Sequence, residues 1–154
     1  MIITCMDCKN GESMKNNLCF VDTVCWIALL NRQDSLHHRA DQVYKNQMRS
    51  GCHFLTTSAV LEETANALCE PMFKPAVIRF FHNIENSSRV EIVFVDPVLW
   101  SKGWTLYEQR TDKAWSLTDC ISLEVMEERG IHDALTSDRH FVQAGFNMLL
   151  MEHE

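Results

Sequence analysis

Three aspartates stand where an apolar stretch of this 154-residue chain hands over to a polar turn or a helix start. Asp22 follows the run Leu18-Cys-Phe-Val21, Asp138 closes the sequence Ala134-Leu-Thr-Ser-Asp138, and Asp119 ends the helix-opening sequence Ser116-Leu-Thr-Asp119. Carboxylates drawn to one edge of a fold repel each other, which raises their pKa values and costs stability. A hard divalent cation removes that cost, because Mg²⁺ or Mn²⁺ prefers oxygen ligands, takes a few carboxylates directly and keeps several waters. Such an ion makes water a usable nucleophile at neutral pH and steadies the charge on a transferring phosphoryl group. Acids at strand ends therefore suggest metal-dependent phosphodiester hydrolysis. A fourth acid comes from the helix expected over 58–69. Glu62 and Glu63 point about 100° apart, so they cannot both face one site. Glu63 borders the apolar stripe Val60, Leu61, Thr64, Ala67 and Leu68 and is the better candidate.

Each aspartate also has a purely structural reading. Asp22 is placed to cap a helix beginning near Val24. Asp119 completes Ser-x-x-Asp, the pattern of a capping box. Asp138 stands where it could cap a short helix from Arg139. Only their coincidence at one edge favours chemistry over capping.

Such an edge requires a particular scaffold. The hydrophobic spacing predicts strands over 18–21, 53–56, 90–95, 134–136 and 147–151. Between them it predicts a short helix over 24–30 and longer ones over 36–48, 58–69, 75–84, 98–109, 117–129 and 139–144. Strands that alternate with helices imply a parallel sheet covered on both faces, an α/β architecture. In open sheets of this kind ligands bind beyond the carboxyl ends of the strands, which is where Asp22 and Asp138 fall.

Composition narrows the class. With 46% hydrophobic and 23% charged residues, 5 Gly and 3 Pro, the chain is neither disordered nor collagen-like. Its length suits one domain, which buries roughly 70% of its unfolded surface without help from disulfides. No apolar run approaches the ~20 residues that span a bilayer and no export signal is evident, so a soluble, cytoplasmic protein with no membrane partner is expected. A formal charge of −7 argues against a general nucleic-acid scaffold, but not against an enzyme that meets nucleic acid through a bound metal. The seven cysteines read as reduced thiols. Cys5 and Cys8 have metal-ligand spacing, but nothing completes a four-ligand set, and residues 1–17 read as a flexible N-terminal extension to a domain over 18–152.

Several stretches carry a resemblance. Phe20-Val-Asp-Thr-Val-Cys-Trp-Ile-Ala-Leu-Leu30 resembles the opening strand and helix of PIN-domain nucleases, and Leu55-Thr-Thr-Ser-Ala-Val-Leu-Glu-Glu-Thr-Ala-Asn66 their second strand and Glu-bearing helix. Asp112-Lys-Ala-Trp-Ser-Leu-Thr-Asp-Cys-Ile-Ser122, then Gly130-Ile-His-Asp-Ala-Leu-Thr-Ser-Asp-Arg-His-Phe141 and Ala144-Gly-Phe146, are similar to the third and fourth acidic motifs of VapC-type PIN proteins. The resemblance implies a three-layer α/β/α PIN-like domain with a central parallel sheet. It implies an endoribonuclease using Mg²⁺ or Mn²⁺, with Asp22, Glu63, Asp119 and Asp138 as metal-binding, catalytic acids. The Glu-Thr order at 63–64 supports Glu63 over Glu62. Thr23 and Thr136 would orient carboxylates or water, and Asp112 would be an accessory acid. The implied biology is the toxin of a type II toxin–antitoxin pair, with an RNA substrate, a cognate antitoxin and a homodimeric state. A catalytically silent PIN-fold module that binds RNA or protein is the competing expectation. The extension, the acidic Glu124 and the lack of a basic track for RNA depart from the pattern. Trp100, Trp104 and Trp115 read as core or interface, and His140 as structural or surface.

Overall fold

The buried four-residue run β1 (Leu18–Val21) forms the centre of the sheet because β-branched and aromatic side chains cover both of its faces. The computed structural model describes residues 17–151. The Cys5/Cys8 pair and residues 1–16 lie outside them. Asn17, the first described residue, is tied to the domain: its carbonyl accepts from His53 N–H and its amide donates to the Ser50 carbonyl. After β1 come α1 (Thr23–Leu30), α2 (His37–Arg49), β2 (His53–Thr57), α3 (Ser58–Ala67), α4 (Lys74–Glu85) and β3 (Val90–Val93). The second half contributes α5 (Pro97–Gln109), α6 (Leu117–Glu128), β4 (Asp133–Leu135), α7 (Arg139–Gln143) and β5 (Asn147–Met148).

All strand pairs are parallel and the order is β3-β2-β1-β4-β5. Phe20 is level with Leu55 on one side and Ala134 on the other. The expected central parallel sheet with flanking helices is therefore what forms. Its core includes Phe20, Trp26, Phe54, Leu55, Ile121, Met126, Leu135 and Phe141, all essentially inaccessible to water. The buried threonines of β2 are paired, as burial favours. Trp26 Nε1–H donates to Thr56 Oγ1, which itself donates to the Val21 carbonyl, while Thr57 Oγ1 accepts from Val60 N–H and caps α3. The described cysteines are free thiols, and Cys19 and Cys52 lie in contact between the starts of β1 and β2.

Most elements shift by a residue or two at their ends from the sequence reading, and at three of them the physical reason is plain. α2 begins at His37 because Asp34 Oδ1 accepts from Leu36 N–H, closing a turn before the helix. β3 stops at Val93, where Val95 N–H turns to Ser58 Oγ. β5 is only two residues long, although Leu149 and Leu150 still donate to the Ala134 and Thr136 carbonyls as the chain bends away. At the far end of α6 the reading holds: Gly130 takes φ +61 and Ile131 N–H reaches back to the Met126 carbonyl, a Schellman closure.

The approach of α5 to α6 makes a testable demand. A Cβ added at Gly103 would lie 2.5 Å from Ile121 Cγ1 and 3.3 Å from Ile121 Cα. Alanine gains up to about 1 kcal/mol of helix propensity over glycine, but overpacking two helix backbones costs more. Gly103→Ala is expected to destabilise the protein by about 1–3 kcal/mol, read from its urea midpoint.

Candidate metal centre

The chain winds from β1 outward to β3, then crosses back to place β4 on the other side of β1. The carboxyl ends of β1 and β4 thus flank the point where the winding reverses, the position at which open α/β sheets leave a crevice. Asp22 is the residue after β1, and Thr136-Ser-Asp138 follows β4. α6 brings its first turn, with Asp119, to the same crevice.

The three aspartates are linked through two intermediaries. Thr136 Oγ1–H donates to Asp22 Oδ2 at 2.8 Å and accepts from Asp138 N–H at 3.0 Å. His140 Nδ1 lies 2.9 Å from Asp119 Oδ2 and 3.3 Å from Asp138 Oδ1. Donor atoms of Asp119, Asp138 and His140 all fall within 4.8 Å of one another. The capping reading and the site reading of Asp119 both hold. Its Oδ2 accepts from Ser116 N–H at 2.9 Å while Ser116 Oγ accepts from Asp119 N–H at 3.0 Å, a complete capping box. Asp138 Oδ1 likewise caps α7 by accepting from His140 N–H. Hydrogen bonds to these two side chains fall on one oxygen each, which leaves the second oxygen of each without a protein donor among the described residues. Asp22 differs, since its carboxylate caps no α1 amide beyond the adjacent Thr23 and takes the Thr136 hydroxyl instead.

Electrostatics fits a cation. Asp22 is only 4% exposed. Burial is the main force pushing its pKa up to about 7, with the charges of Asp119 and Asp138 adding, against the hydrogen bonds from Thr136 and Thr23 N–H that lower it. Beside it the Thr23 hydroxyl is buried without a hydrogen-bond partner, a cost that a bound water or ion would relieve. A set of converging carboxylates with open oxygens, whose mutual repulsion and burial a positive charge would relieve, is the donor chemistry a hard divalent ion takes. The sign of the pH dependence follows. The unfolded chain gives up the Asp22 proton near the ordinary aspartate value of 3.8, and the folded chain holds it to about 7. Metal-free protein is therefore expected to lose stability as pH rises across that interval. Asp22→Asn, which keeps an acceptor for Thr136, should flatten the loss, as thermal melts between pH 4 and pH 8 would show.

Other residues singled out in the sequence fall elsewhere. Glu62 and Glu63 are both exposed on α3, a helix that packs against α1 and α6, and neither belongs to the compact cluster. Asp112 is exposed and paired bidentately with Arg110, which holds its carboxyl below the usual range. Trp115 is buried, donates from Nε1 to Gln143 Oε1 and carries the Arg110 guanidinium over its ring. Trp100 and Trp104 are exposed on α5, Trp104 stacked with Tyr107. His140, which the sequence reads as structural or surface, instead joins the cluster with Asp119 and Asp138. Its signal was its place two residues after Asp138, where a cap turn brings a side chain back over the capping carboxylate.

A family model for the PIN domain matches residues 19–147. The 23S rRNA-specific endonuclease VapC20 of Mycobacterium tuberculosis, in strains CDC 1551 / Oshkosh and ATCC 25618 / H37Rv, is 31% identical over 130 residues, covering 82% of this chain and 94% of the relative. The crystal structure of M. tuberculosis VapC20, described as a sarcin–ricin loop cleaving toxin, superimposes with a TM-score of 0.74 at 27% identity, over 84% of this chain and 96% of that one. The match runs through every strand of the sheet and through Asp22, Asp119 and Asp138. The chain belongs to the PIN-domain family, and its relatives there are VapC-type toxins.

Proposed function

We propose that this protein is a divalent-metal-dependent endoribonuclease, the toxin of a toxin–antitoxin pair, with Asp22, Glu63, Asp119 and Asp138 as its metal-binding acids. The observation that carries the proposal is the meeting of three aspartates at the reversal point of a PIN-domain sheet, joined by Thr136 and His140. When bound, Mg²⁺ or Mn²⁺ supplies Lewis acidity, acidifying water and offsetting charge on the transferring phosphoryl group. The chain supplies the rest. Asp119 and Asp138 each keep one oxygen without a protein donor among the described residues, with their other oxygens fixed by backbone donors. Thr136 fixes Asp22 and couples its position to that of Asp138, and Thr23 offers a hydroxyl that can orient water. Asp22 is buried with its pKa raised to about 7, so a cation beside it would favour its charged form at neutral pH.

The same reading extends to partners. RNA is the substrate class, and the ribosomal RNA named for the VapC20 relatives is the first substrate to try. A cognate antitoxin protein would hold the nuclease in check in the cytoplasm. One face of α5 carries exposed Trp100, Trp104 and Tyr107, an aromatic surface that supports a homodimer. No helix among the described residues is long and apolar enough to cross a membrane.

The role given to Glu63 is separable from the rest. α3 would bring its carboxylate to the crevice once a cation draws the acids together. Glu63→Gln is expected to lower RNA cleavage by roughly a hundredfold or more, on the scale of losing a group that orients or holds a metal. Glu62→Gln should stay within about twofold of wild type. Equal losses, or none, would remove Glu63 from the site.

A further inference from the structure

Of the three side chains whose donor atoms lie within 4.8 Å of one another, His140 alone offers nitrogen. Its placement is fixed from both sides. The backbone N–H of His140 donates to Asp138 Oδ1 at 2.9 Å, and the imidazole folds back over the same carboxylate toward Asp119. The next residue, Phe141, is fully buried and packs against Phe20, which anchors α7 to the sheet. The imidazole is 26% exposed, so an ion can reach it from solvent. Nδ1 is the nitrogen turned into the cluster, and Nε2 has no protein partner among the described residues. A neutral imidazole carries its proton on one nitrogen only. With the proton on Nε2, the Nδ1 lone pair faces the two carboxylates.

Donor type decides which ion such a cluster prefers. Mg²⁺ is held by carboxylates and waters and gains little from imidazole, whereas first-row transition ions gain from nitrogen increasingly from Mn²⁺ onward. We propose that His140 Nδ1 is a ligand of the metal centre, making with Asp119 and Asp138 a mixed oxygen–nitrogen site that favours Mn²⁺ and later first-row ions over Mg²⁺. The proposal rests on the metal-dependent reading above and adds to it the identity of a donor and the direction of selectivity. Its competitor is a positioning role, in which Nδ1–H only donates to Asp119 and the ion keeps an all-oxygen environment.

Mn²⁺ binding to the full chain separates these cases, measured by calorimetry and by electron paramagnetic resonance with detection of nitrogen-14 coupling. Bound Mn²⁺ should show nitrogen coupling in the wild type and lose it in His140→Asp. Exchanging nitrogen for a carboxylate should also lower the ratio of Mn²⁺ to Mg²⁺ affinity by roughly tenfold or more. His140→Asn keeps an N–H donor near Asp119, so it would rescue a positioning role; no rescue of the ratio is expected. Mn²⁺ bound to wild type without nitrogen coupling would overturn the inference while leaving the metal reading intact, and this result needs no variant to fold. Absence of Mn²⁺ binding to wild type, with or without Asp119→Asn as control, would overturn the metal reading itself.

Discussion

Asp119→Asn is expected to lower RNA cleavage by roughly a hundredfold or more while the metal-free protein stays as stable as wild type, or becomes more so. Asparagine is nearly as good as aspartate near a helix N-terminus. Its amide oxygen can still accept from Ser116 N–H and from His140, the two donors that Asp119 Oδ2 serves now. The fold therefore loses little. What disappears is a charge facing the crevice and an open anionic oxygen, and removing even a group that merely supports a ligand costs about 10–100-fold in affinity or activity. The charge of Asp119 also contributes to the raised pKa of Asp22, so its loss relieves repulsion in the absence of metal. If Asp119 served only its capping box, the substitution would change stability by about 1 kcal/mol or less and leave cleavage untouched. Activity and melting measurements on one preparation distinguish the two.

Thr136→Val should damage both stability and activity, because one hydroxyl serves two acids. The side chain is fully buried, and valine matches its shape. Replacement leaves Asp22 Oδ2 without its donor and Asp138 N–H without its acceptor. Each buried group left unpaired costs about 1–3 kcal/mol, which a urea titration would read. Losing the link between Asp22 and Asp138 should also reduce cleavage by roughly 10–100-fold. Thr136→Ser, which keeps the hydroxyl, is expected to recover most of the activity. Full activity in the valine variant would show that the threonine only fills space.

The contrast between Asp119 and His140 shows how far the sequence could lead. Asp22, Asp119 and Asp138 were legible because each interrupts a hydrophobic pattern at an element boundary, and parallel strands gather such boundaries on one edge. The α/β alternation was legible for the same reason, carried by the buried runs of β1 and β2 and by Gly130 after α6. His140 was legible only in part: its place two residues after Asp138 is a local signal, but its contact with Asp119 depends on α6 arriving opposite, a tertiary fact. Strand ends escaped prediction where donors left the ladder for a side chain, as Val95 N–H does for Ser58. The periodicity of α3 distinguished Glu63 from Glu62 by the stripe each borders, yet both side chains stand in solvent. Periodicity fixes a direction around a helix axis, and it says nothing of the distance to another element's carboxylates.

The central claim is that these acids hold a divalent cation with which water cleaves RNA. It is tested most directly by incubating the purified protein with RNA in chelator and then restoring Mn²⁺ or Mg²⁺. The expected result is cleavage only after the cation is restored, with none in Asp119→Asn. The new ends should lack a 2′,3′-cyclic phosphate, since water rather than the neighbouring 2′-hydroxyl is the nucleophile. Cleavage that continues undiminished in chelator, or that leaves cyclic phosphates, would contradict the account.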